Sequence, residues 1–181
     1  MKFLCKLILV IGMPFVVTSN ECPTPCHAST TAASSTQPLL PTQTITVGGG
    51  TNLRFSPPYL QRVVPGTTLR FDFLGRNHTL TESSRDLPCT KLRSPYAIDT
   101  DFQNFNPNDV SGLKTFDLKV TSFDPKFFYC KQGNGTPNGH CLKGMVFAIN
   151  VADQVFKDFQ TKAMKSRPMF RGLTRSKSVN L

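Results

Sequence analysis

The sequence predicts an all-β protein, an antiparallel sandwich or barrel, from two features of its central part. Apolar and polar residues alternate in short runs at 44–47, 53–55, 69–73 and 115–120, and a period of two is typical of half-buried strands. Turn residues end these runs, first the three glycines at 48–50 and later several prolines. Short alternating strands between glycine and proline turns indicate a sandwich or barrel.

The remaining elements are predicted from local patterns as well. A strand begins at His78, another covers the aromatic run 126–130, and a final strand covers 145–151. Residues 94–112 lack alternation, so they are predicted to form a long loop, with or without a short helix. Apolar residues then recur at helical spacing, so 155–165 is predicted to be a short amphipathic helix.

Four segments are expected along the chain. Residues 1–19 combine two lysines, an apolar run and small residues at the end, the pattern of a secretory signal; the alternative is a buried N-terminal strand or helix. Residues 20–43 are a linker rich in Ser, Thr and Pro, 44–152 are the β domain, and 153–181 are a helical, basic tail, disordered after Pro168. We therefore expect a secreted protein, in an oxidising compartment.

The net charge of +10 in 181 residues does not favour nucleic-acid binding. Residues 20–150 contribute only +3, while 151–181 contribute +5 and the predicted signal contributes the rest. A basic surface on the folded domain, which nucleic-acid binding requires, is therefore not indicated. No long apolar stretch follows the β domain, so we expect neither a transmembrane helix nor a lipid anchor.

The cysteine count is odd once the predicted signal is removed. Of six cysteines, Cys5 lies in the signal. The mature chain keeps Cys22, Cys26, Cys89, Cys130 and Cys141. An odd count in a secreted protein means that one thiol is free, pairs between chains or has another chemical role. Cys22 and Cys26 can close a small disulfide loop; a metal site with His27 is the alternative.

Four side chains around the last two strands and upstream of them have the donors of a type 1 copper site. They are His78, Cys130, His140 and Met145. A thiolate and two imidazoles form a trigonal set, and a thioether is a weak axial ligand. Soft sulfur suits Cu(I) and imidazole suits Cu(II), so such a set holds both oxidation states. The alternative is that the cysteines form disulfides or stay free and that both histidines are ordinary surface residues.

Over about residues 44–152 the sequence resembles the cupredoxins, most closely the phytocyanins and the fungal extracellular cupredoxin-like proteins. Three motifs carry the resemblance. They are Asn77-His78-Thr79, Pro88-Cys89-Thr90 and His140-Cys141-Leu142-Lys143-Gly144-Met145. The resemblance implies a Greek-key β-sandwich or barrel that binds one type 1 copper ion. It also implies that Cys130 is the copper thiolate and that Cys89 and Cys141 form a structural disulfide.

Two further consequences concern the cysteines and the ligand loop. With Cys130 on copper and Cys89 paired to Cys141, Cys22 and Cys26 remain and can pair with each other, although other pairings also use every cysteine. The loop 131–139 has nine residues between the Cys and His ligands, which is longer than usual in the family. We expect this length to change copper affinity or reduction potential.

The resemblance implies an extracellular one-electron carrier with His140 as the electron port. No catalytic triad, HExxH motif or carboxylate pair is evident, so no enzyme is expected. The partner would be a redox protein or a small redox molecule, and the carrier a monomer whose linker and tail contact the cell wall. The alternative is a protein that scavenges copper or contacts a cell surface. Sequons at Asn77 and Asn134 predict N-glycosylation beside the ligands.

Overall fold

The computed structural model describes residues 41–166. The predicted signal, the Cys22 and Cys26 pair, most of the linker and the tail beyond residue 166 lie outside these residues. Within residues 41–166, no helix is long and apolar enough to cross a membrane.

Eight strands form two four-stranded sheets, which confirms the predicted all-β class. The strands are β1 (Thr42–Gly48), β2 (Phe55–Ser56), β3 (Tyr59–Leu60), β4 (Thr68–Leu74), β5 (Thr81–Ser83), β6 (Thr115–Lys119), β7 (Lys126–Tyr129) and β8 (Val146–Ile149). The strand order is β2-β1-β4-β6 in the first sheet and β3-β8-β7-β5 in the second. A short 3₁₀ turn (Cys141–Lys143) precedes β8, and one helix, α1 (Asp153–Lys165), follows it.

The sheets are mixed, so the expectation of a purely antiparallel arrangement was wrong. Strand β1 pairs in parallel with β4, and β3 pairs in parallel with β8. Between β1 and β4 the chain enters the second sheet as β3 and then returns, which lets it run in the same direction twice. Alternation of apolar residues identifies a strand but carries no information about the direction of its neighbour.

The main core lies where side chains of the two sheets meet. Alternate residues of β4 (Leu69, Phe71 and Phe73) are fully buried. Phe147 of β8 contacts Phe71 edge-on, with ring centroids 5.2 Å apart, and lies 5.6 Å from Phe55 of β2. Aromatic rings from both sheets therefore hold the sandwich together.

Helix α1 covers the outer face of the second sheet. Phe159 packs on Phe127 of β7, and Phe156 stacks on Tyr59 of β3, with ring centroids 4.8 Å apart in each pair. The predicted amphipathic helix thus forms and buries its apolar face. Because β7 and β8 are covered on both faces, they show nearly continuous apolar runs and no alternation.

The predicted long loop is confirmed: residues 94–112 contain no helix and no named strand, only isolated bridges. Two buried asparagines hold it. The Nδ2 of Asn104 donates to the carbonyl of His78 at 3.1 Å, and the Nδ2 of Asn106 donates to the carbonyls of Phe73 and Val110 at 2.9 and 2.8 Å. The side chains therefore replace the missing ladder hydrogen bonds.

The prediction that a strand begins at His78 was wrong, because β5 begins only at Thr81. The backbone before Thr81 bonds to side chains of the loop and the site. The amide of Leu80 donates to Oγ1 of Thr100 at 3.0 Å, and the amide of Thr79 donates to Sγ of Cys130 at 3.4 Å. His78 consequently lies in the connection between β4 and β5.

Candidate metal centre

Three of the predicted donors meet at one end of the sandwich. His78, Cys130 and His140 each offer a ligand atom, and these atoms all lie within 4.8 Å of one another. Sγ of Cys130 lies 3.7 Å from Nδ1 of His78 and 3.5 Å from Nδ1 of His140, and the two Nδ1 atoms are 3.2 Å apart. The relative exposures are 1%, 0% and 4% in chain order. A thiol and two imidazoles therefore converge in a space that water reaches poorly.

Each donor is positioned by a different part of the chain. His78 lies between β4 and β5, Cys130 follows the last residue of β7, and His140 precedes the 3₁₀ turn. The amide of His140 donates to the carbonyl of Gln132 at 2.9 Å, which closes the nine-residue loop at its base. His78 is 52 residues from Cys130 and 62 residues from His140 in sequence, so these side chains meet only through the tertiary fold.

The same loop is folded back on itself by successive tight turns. Amides of Asn134, Thr136 and Gly139 each donate to a carbonyl three residues earlier. A Cβ on Gly139 would lie 2.8 Å from the carbonyl oxygen of Gly133, so the backbones approach too closely for a larger residue. The extra length of the loop is therefore taken up in hydrogen-bonded turns at the surface.

Met145 is fully buried immediately before β8, in the same core cluster as Cys130. Its backbone ties the other donors together: the amide of Cys130 donates to the carbonyl of Met145 at 3.1 Å, and the amide of Met145 donates to the carbonyl of His140 at 3.0 Å. Through these bonds Met145 is held beside two of the three side chains, Cys130 and His140, whose ligand atoms converge.

The disulfide between Cys89 and Cys141, which the resemblance implied, is present. Cys130 is the free cysteine of the described chain and is buried. The disulfide joins the segment that follows β5 to the residue next to His140. It lies in the second apolar cluster, beneath α1.

The electrostatics of the centre favour uncharged groups. Burial raises the pKa of the Cys130 thiol, although hydrogen bonds from the backbone of Gln132 and Thr79 oppose the rise. Burial lowers the pKa of His78 to about 4, with smaller effects from the charges of His140 and Arg76. Burial also lowers the pKa of His140, again with an effect of Arg76. Both imidazoles are thus neutral at pH 7 and each keeps a lone pair for a cation.

Several residues that shape the centre were missed by sequence reasoning. Oγ1 of Thr79 accepts a hydrogen bond from the amide of Lys131 at 2.9 Å. This bond ties the residue after His78 to the residue after Cys130. Gly48 packs against the ring of His78. The glycine run after a predicted strand was a usable signal for Gly48. Thr79 was noted only as part of the Asn77-His78-Thr79 motif, and Asn104 carried no signal, because polar residues in loops are common.

The two sequons differ in how their side chains are held. Asn77 donates from Nδ2 to the carbonyl of Phe102 and accepts the amide of Asn104 on Oδ1, both at 3.0 Å. Asn134 is exposed and makes one side-chain hydrogen bond, from Nδ2 to the carbonyl of Cys89 at 3.1 Å. The side-chain amide of Asn77 is thus hydrogen-bonded through both its nitrogen and its oxygen, whereas that of Asn134 is accessible.

No protein-family model matches the sequence, and no curated protein is a significant match. Among solved structures, the chain is similar to plastocyanin from Dryopteris crassirhizoma, with 17% identity, a TM-score of 0.37, and coverage of 61% of this chain and 100% of that one. It is similar to pseudoazurin from Methylobacterium extorquens AM1, with 17% identity, a TM-score of 0.36, and coverage of 71% and 88%. It is also similar to auracyanin from Roseiflexus castenholzii, with 18% identity, a TM-score of 0.41, and coverage of 61% and 96%. Similarities of this size assign neither a cofactor nor an activity.

Proposed function

We propose that this protein is a cupredoxin that binds one type 1 copper ion and carries single electrons outside the cell. The observation that carries the proposal is the convergence of one thiol and two imidazoles within 4.8 Å in a buried space. His78, Cys130 and His140 would hold the metal, and Met145 would be the weak axial ligand. The phytocyanin-like subtype is part of the same proposal and is supported by the three motifs at Asn77, Pro88 and His140.

The donor set fits copper better than the common alternatives. One thiolate with two imidazoles offers both soft sulfur for Cu(I) and nitrogen for Cu(II), whereas structural zinc sites usually have four protein ligands. When bound, copper supplies a centre that accepts and releases one electron. The chain holds the donors rigidly, because each is fully buried or nearly so and is tied to its neighbours through the backbone. Rigid donors reduce the rearrangement that accompanies electron transfer.

Thiol protonation must change when a metal binds. Burial raises the pKa of Cys130, so the metal-free thiol is protonated at neutral pH. Binding of a cation would displace this proton to solvent, because the thiolate is the ligand form. The neutral imidazoles need lose no proton. The proposed centre therefore binds its metal with release of a single proton.

Secretion and glycosylation belong to the proposal as well. A disulfide between Cys89 and Cys141 is the kind of bond that persists in an oxidising compartment. Of the two sequons, exposed Asn134 is the favoured glycan acceptor, since Nδ2 and Oδ1 of Asn77 are both engaged. Mass spectrometry of the secreted protein tests this: we expect a glycan on Asn134 and none on Asn77.

The test of the copper proposal is Cu(II) titration of the purified protein, followed by visible and electron paramagnetic resonance spectra. We expect an intense thiolate-to-copper band at one equivalent, absent in Cys130→Ser. Met145→Leu should shift the band and the copper hyperfine splitting. The matched control is Met164→Leu, because Met164 is about half exposed on α1 and should leave both spectra unchanged.

Three outcomes would contradict the electron carrier. Tight Cu(I) binding without the band would favour the alternative function, copper scavenging or buffering. Absence of binding for both oxidation states would leave a β-sandwich without a metal role. A mixed disulfide or cystine at Cys130 in the native protein would also exclude the copper thiolate.

A further inference from the structure

A small cavity opens beside the chain segment that leads to His78. Its volume is about 260 Å³, and it is lined by Gly50, Gly75, Arg76, Phe105, Pro107 and Asp109. Arg76 is two residues before His78, and Gly50 is two residues after Gly48, which contacts the His78 ring. Sites for drug-sized ligands measure about 300–1,000 Å³, so this cavity suits a molecule with a single ring.

The cavity presents one cation and one anion that do not pair with each other. Arg76 is exposed, and the ion pairs found within residues 41–166 do not include it. The Oδ2 of Asp109 accepts the amide of Gly50 at 3.0 Å, which leaves Oδ1 without a hydrogen bond in this part of the chain. A guanidinium offers donors only, and a carboxylate offers acceptors only. A ligand that fills the gap therefore has an acceptor for Arg76 and a donor for Asp109.

The third wall is apolar and is held in place. Phe105 is 59% exposed, and Pro107 is exposed next to it. Asn106 between them is fully buried, and its amide donates to the carbonyl of Gly75 at 3.1 Å. Phe105 and Pro107 are thus fixed on either side of an anchored residue. A flat aromatic face in solvent suits stacking with another ring.

We propose that this cavity binds a neutral aromatic diphenol, with two adjacent ring hydroxyls, as the electron donor of the protein. One phenol oxygen accepts from Arg76, the other hydroxyl donates to Asp109, and the ring packs on Phe105. The proposal rests on the proposed electron-carrier function. With Cu(II) held by the proposed ligands, the diphenol would give one electron to the metal and one phenolic proton to the Asp109 carboxylate, which would leave Cu(I) and a neutral phenoxyl radical. The protein then passes the electron to its own acceptor, as a carrier does.

Other ligand classes fit the same walls less well. An aromatic monocarboxylate would satisfy Arg76 but would face the like charge of Asp109. An aliphatic polyol has suitable hydroxyls, but it would lack a ring for Phe105 and gives up single electrons poorly. A ring with adjacent hydroxyls satisfies the cation, the anion and the aromatic wall at once.

The test uses metal-free protein without glycans, so that the probe cannot bind through copper. Titration with 4-methylcatechol is followed by amide chemical shifts in two-dimensional NMR. We expect shifts at Gly50, Gly75 and Asp109 that saturate, and a dissociation constant raised about tenfold or more in Arg76→Ala, because the variant loses a hydrogen bond from a charged group. Asp109→Asn should also weaken binding, because its side-chain oxygen can still accept from the amide of Gly50 but its NH2 group cannot accept from the diphenol hydroxyl.

Controls separate this site from general surface binding. Arg85→Ala removes another exposed arginine that makes no ion pair in the described chain and should leave the dissociation constant unchanged. The dimethyl ether of the probe, which has no hydroxyl donors, should bind at least tenfold more weakly. Equal binding of probe and ether, or equal binding by wild type and Arg76→Ala, would overturn the proposal. So would tighter binding of benzoate than of the diphenol.

Binding of the diphenol and formation of the copper band can fail independently of each other. If the thiolate-to-copper band forms but the diphenol does not bind metal-free protein, the cavity proposal alone falls. If the diphenol binds but no such band forms, the copper function falls and the cavity loses its role as a donor site. With both present, the rate at which the diphenol reduces the copper protein should saturate with diphenol concentration. This rate should fall in Arg76→Ala but not in Arg85→Ala.

Discussion

Gly48 lies directly against the imidazole of His78, at the end of the first strand. A Cβ on Gly48 would fall inside the van der Waals radii of Nε2 and Cδ2 of His78, and 2.7 Å from the carbonyl oxygen of Leu74. Gly48 also has a φ of +84°, a conformation that residues with a side chain adopt rarely. Because His78 is 1% exposed, its ring is enclosed by protein and can move only by displacing its neighbours. The turn after β1 and a proposed metal ligand are therefore coupled through a single glycine.

Replacing Gly48 with alanine should damage the centre as well as the fold. The positive φ costs about 1–2 kcal/mol, and the overpacking against His78 costs about 1–3 kcal/mol more. Chemical denaturation of the metal-free protein measures this loss. Copper titration should show a dissociation constant raised at least tenfold, because Nδ1 of His78 moves with the ring.

Gly112→Ala is the matched control for this substitution. Gly112 has a φ of +77°, but a Cβ there would meet no atom within 4 Å. Gly112→Ala should lose only the stability that the strained backbone costs, and it should bind copper like the wild type. Equal losses of stability in the two variants, with equal copper affinity, would show that Gly48 is not coupled to His78.

The convergence of His78, Cys130 and His140 could be predicted from sequence because these residue types are uncommon and their order is specific. Cys130, His140 and Met145 follow one another around a predicted strand end, and only His78 is distant. Their support could not be predicted in the same way. Asn104 reaches the carbonyl of His78 across 26 residues, and nothing local distinguishes it from other loop asparagines.

The fold class was predictable for a similar reason, and the strand directions were not. Side-chain alternation in β1 and β4 follows from one buried face, whichever way the neighbouring strand runs. In β7 and β8 the alternation is lost, because α1 buries the second face. The parallel pairings of β1 with β4 and β3 with β8 depend on where the chain crosses between sheets, which is a property of the whole topology.

Helix α1 should affect the segment between His140 and Met145 through Gln160. The Nε2 of Gln160 donates to the carbonyl of Gly144 at 3.1 Å, and Gly144 separates the 3₁₀ turn after His140 from Met145. Gln160→Ala should cost about 1 kcal/mol in the free energy of unfolding and speed the release of copper to a chelator. Gln154→Ala on the same helix removes only an exposed bond to Asp158 and should change neither quantity. Identical release rates in the two variants would mean that α1 does not support the segment between His140 and Met145.

The disulfide between Cys89 and Cys141 should contribute a large share of the stability. The bond closes a loop with a sequence separation of 52, and loop closure of this length stabilises by about 4 kcal/mol in the chain-entropy model. Denaturation of metal-free Cys89→Ala/Cys141→Ala should show that loss. The wild type with dithiothreitol should approach the double variant, while the double variant itself should not respond to the reductant. A double variant as stable as the oxidised wild type would exclude this role.

Asp99 should make the metal-free fold sensitive to acid. Its Oδ2 accepts from Lys91 at 2.9 Å and Lys131 at 2.8 Å, and its Oδ1 accepts from Oγ1 of Thr81 at 3.1 Å. Burial alone would raise the pKa of Asp99, but the hydrogen bonds from Lys131 and Lys91 outweigh it and hold the pKa at about 2, below the ordinary value of 3.8. A lowered pKa means that the folded state prefers the charged carboxylate. Its contribution is therefore complete above pH 3.8 and is lost as the pH falls towards about 2.

The measurement is the free energy of unfolding of wild type and Asp99→Asn between neutral pH and about pH 2. At pH 7 the variant should be less stable by about 1 kcal/mol, a value that allows for solvent screening of the lysines. The difference in stability should shrink only at the acid end, because there the wild-type carboxyl is protonated and, like the carboxamide of the variant, carries no charge. Asp117→Asn is the control: Asp117 pairs with Arg70 on the surface, both side chains are about half exposed, and such pairs contribute about 0–1 kcal/mol. If the difference in the free energy of unfolding between wild type and Asp99→Asn does not vary with pH, the charge of the Asp99 carboxylate does not stabilise the fold.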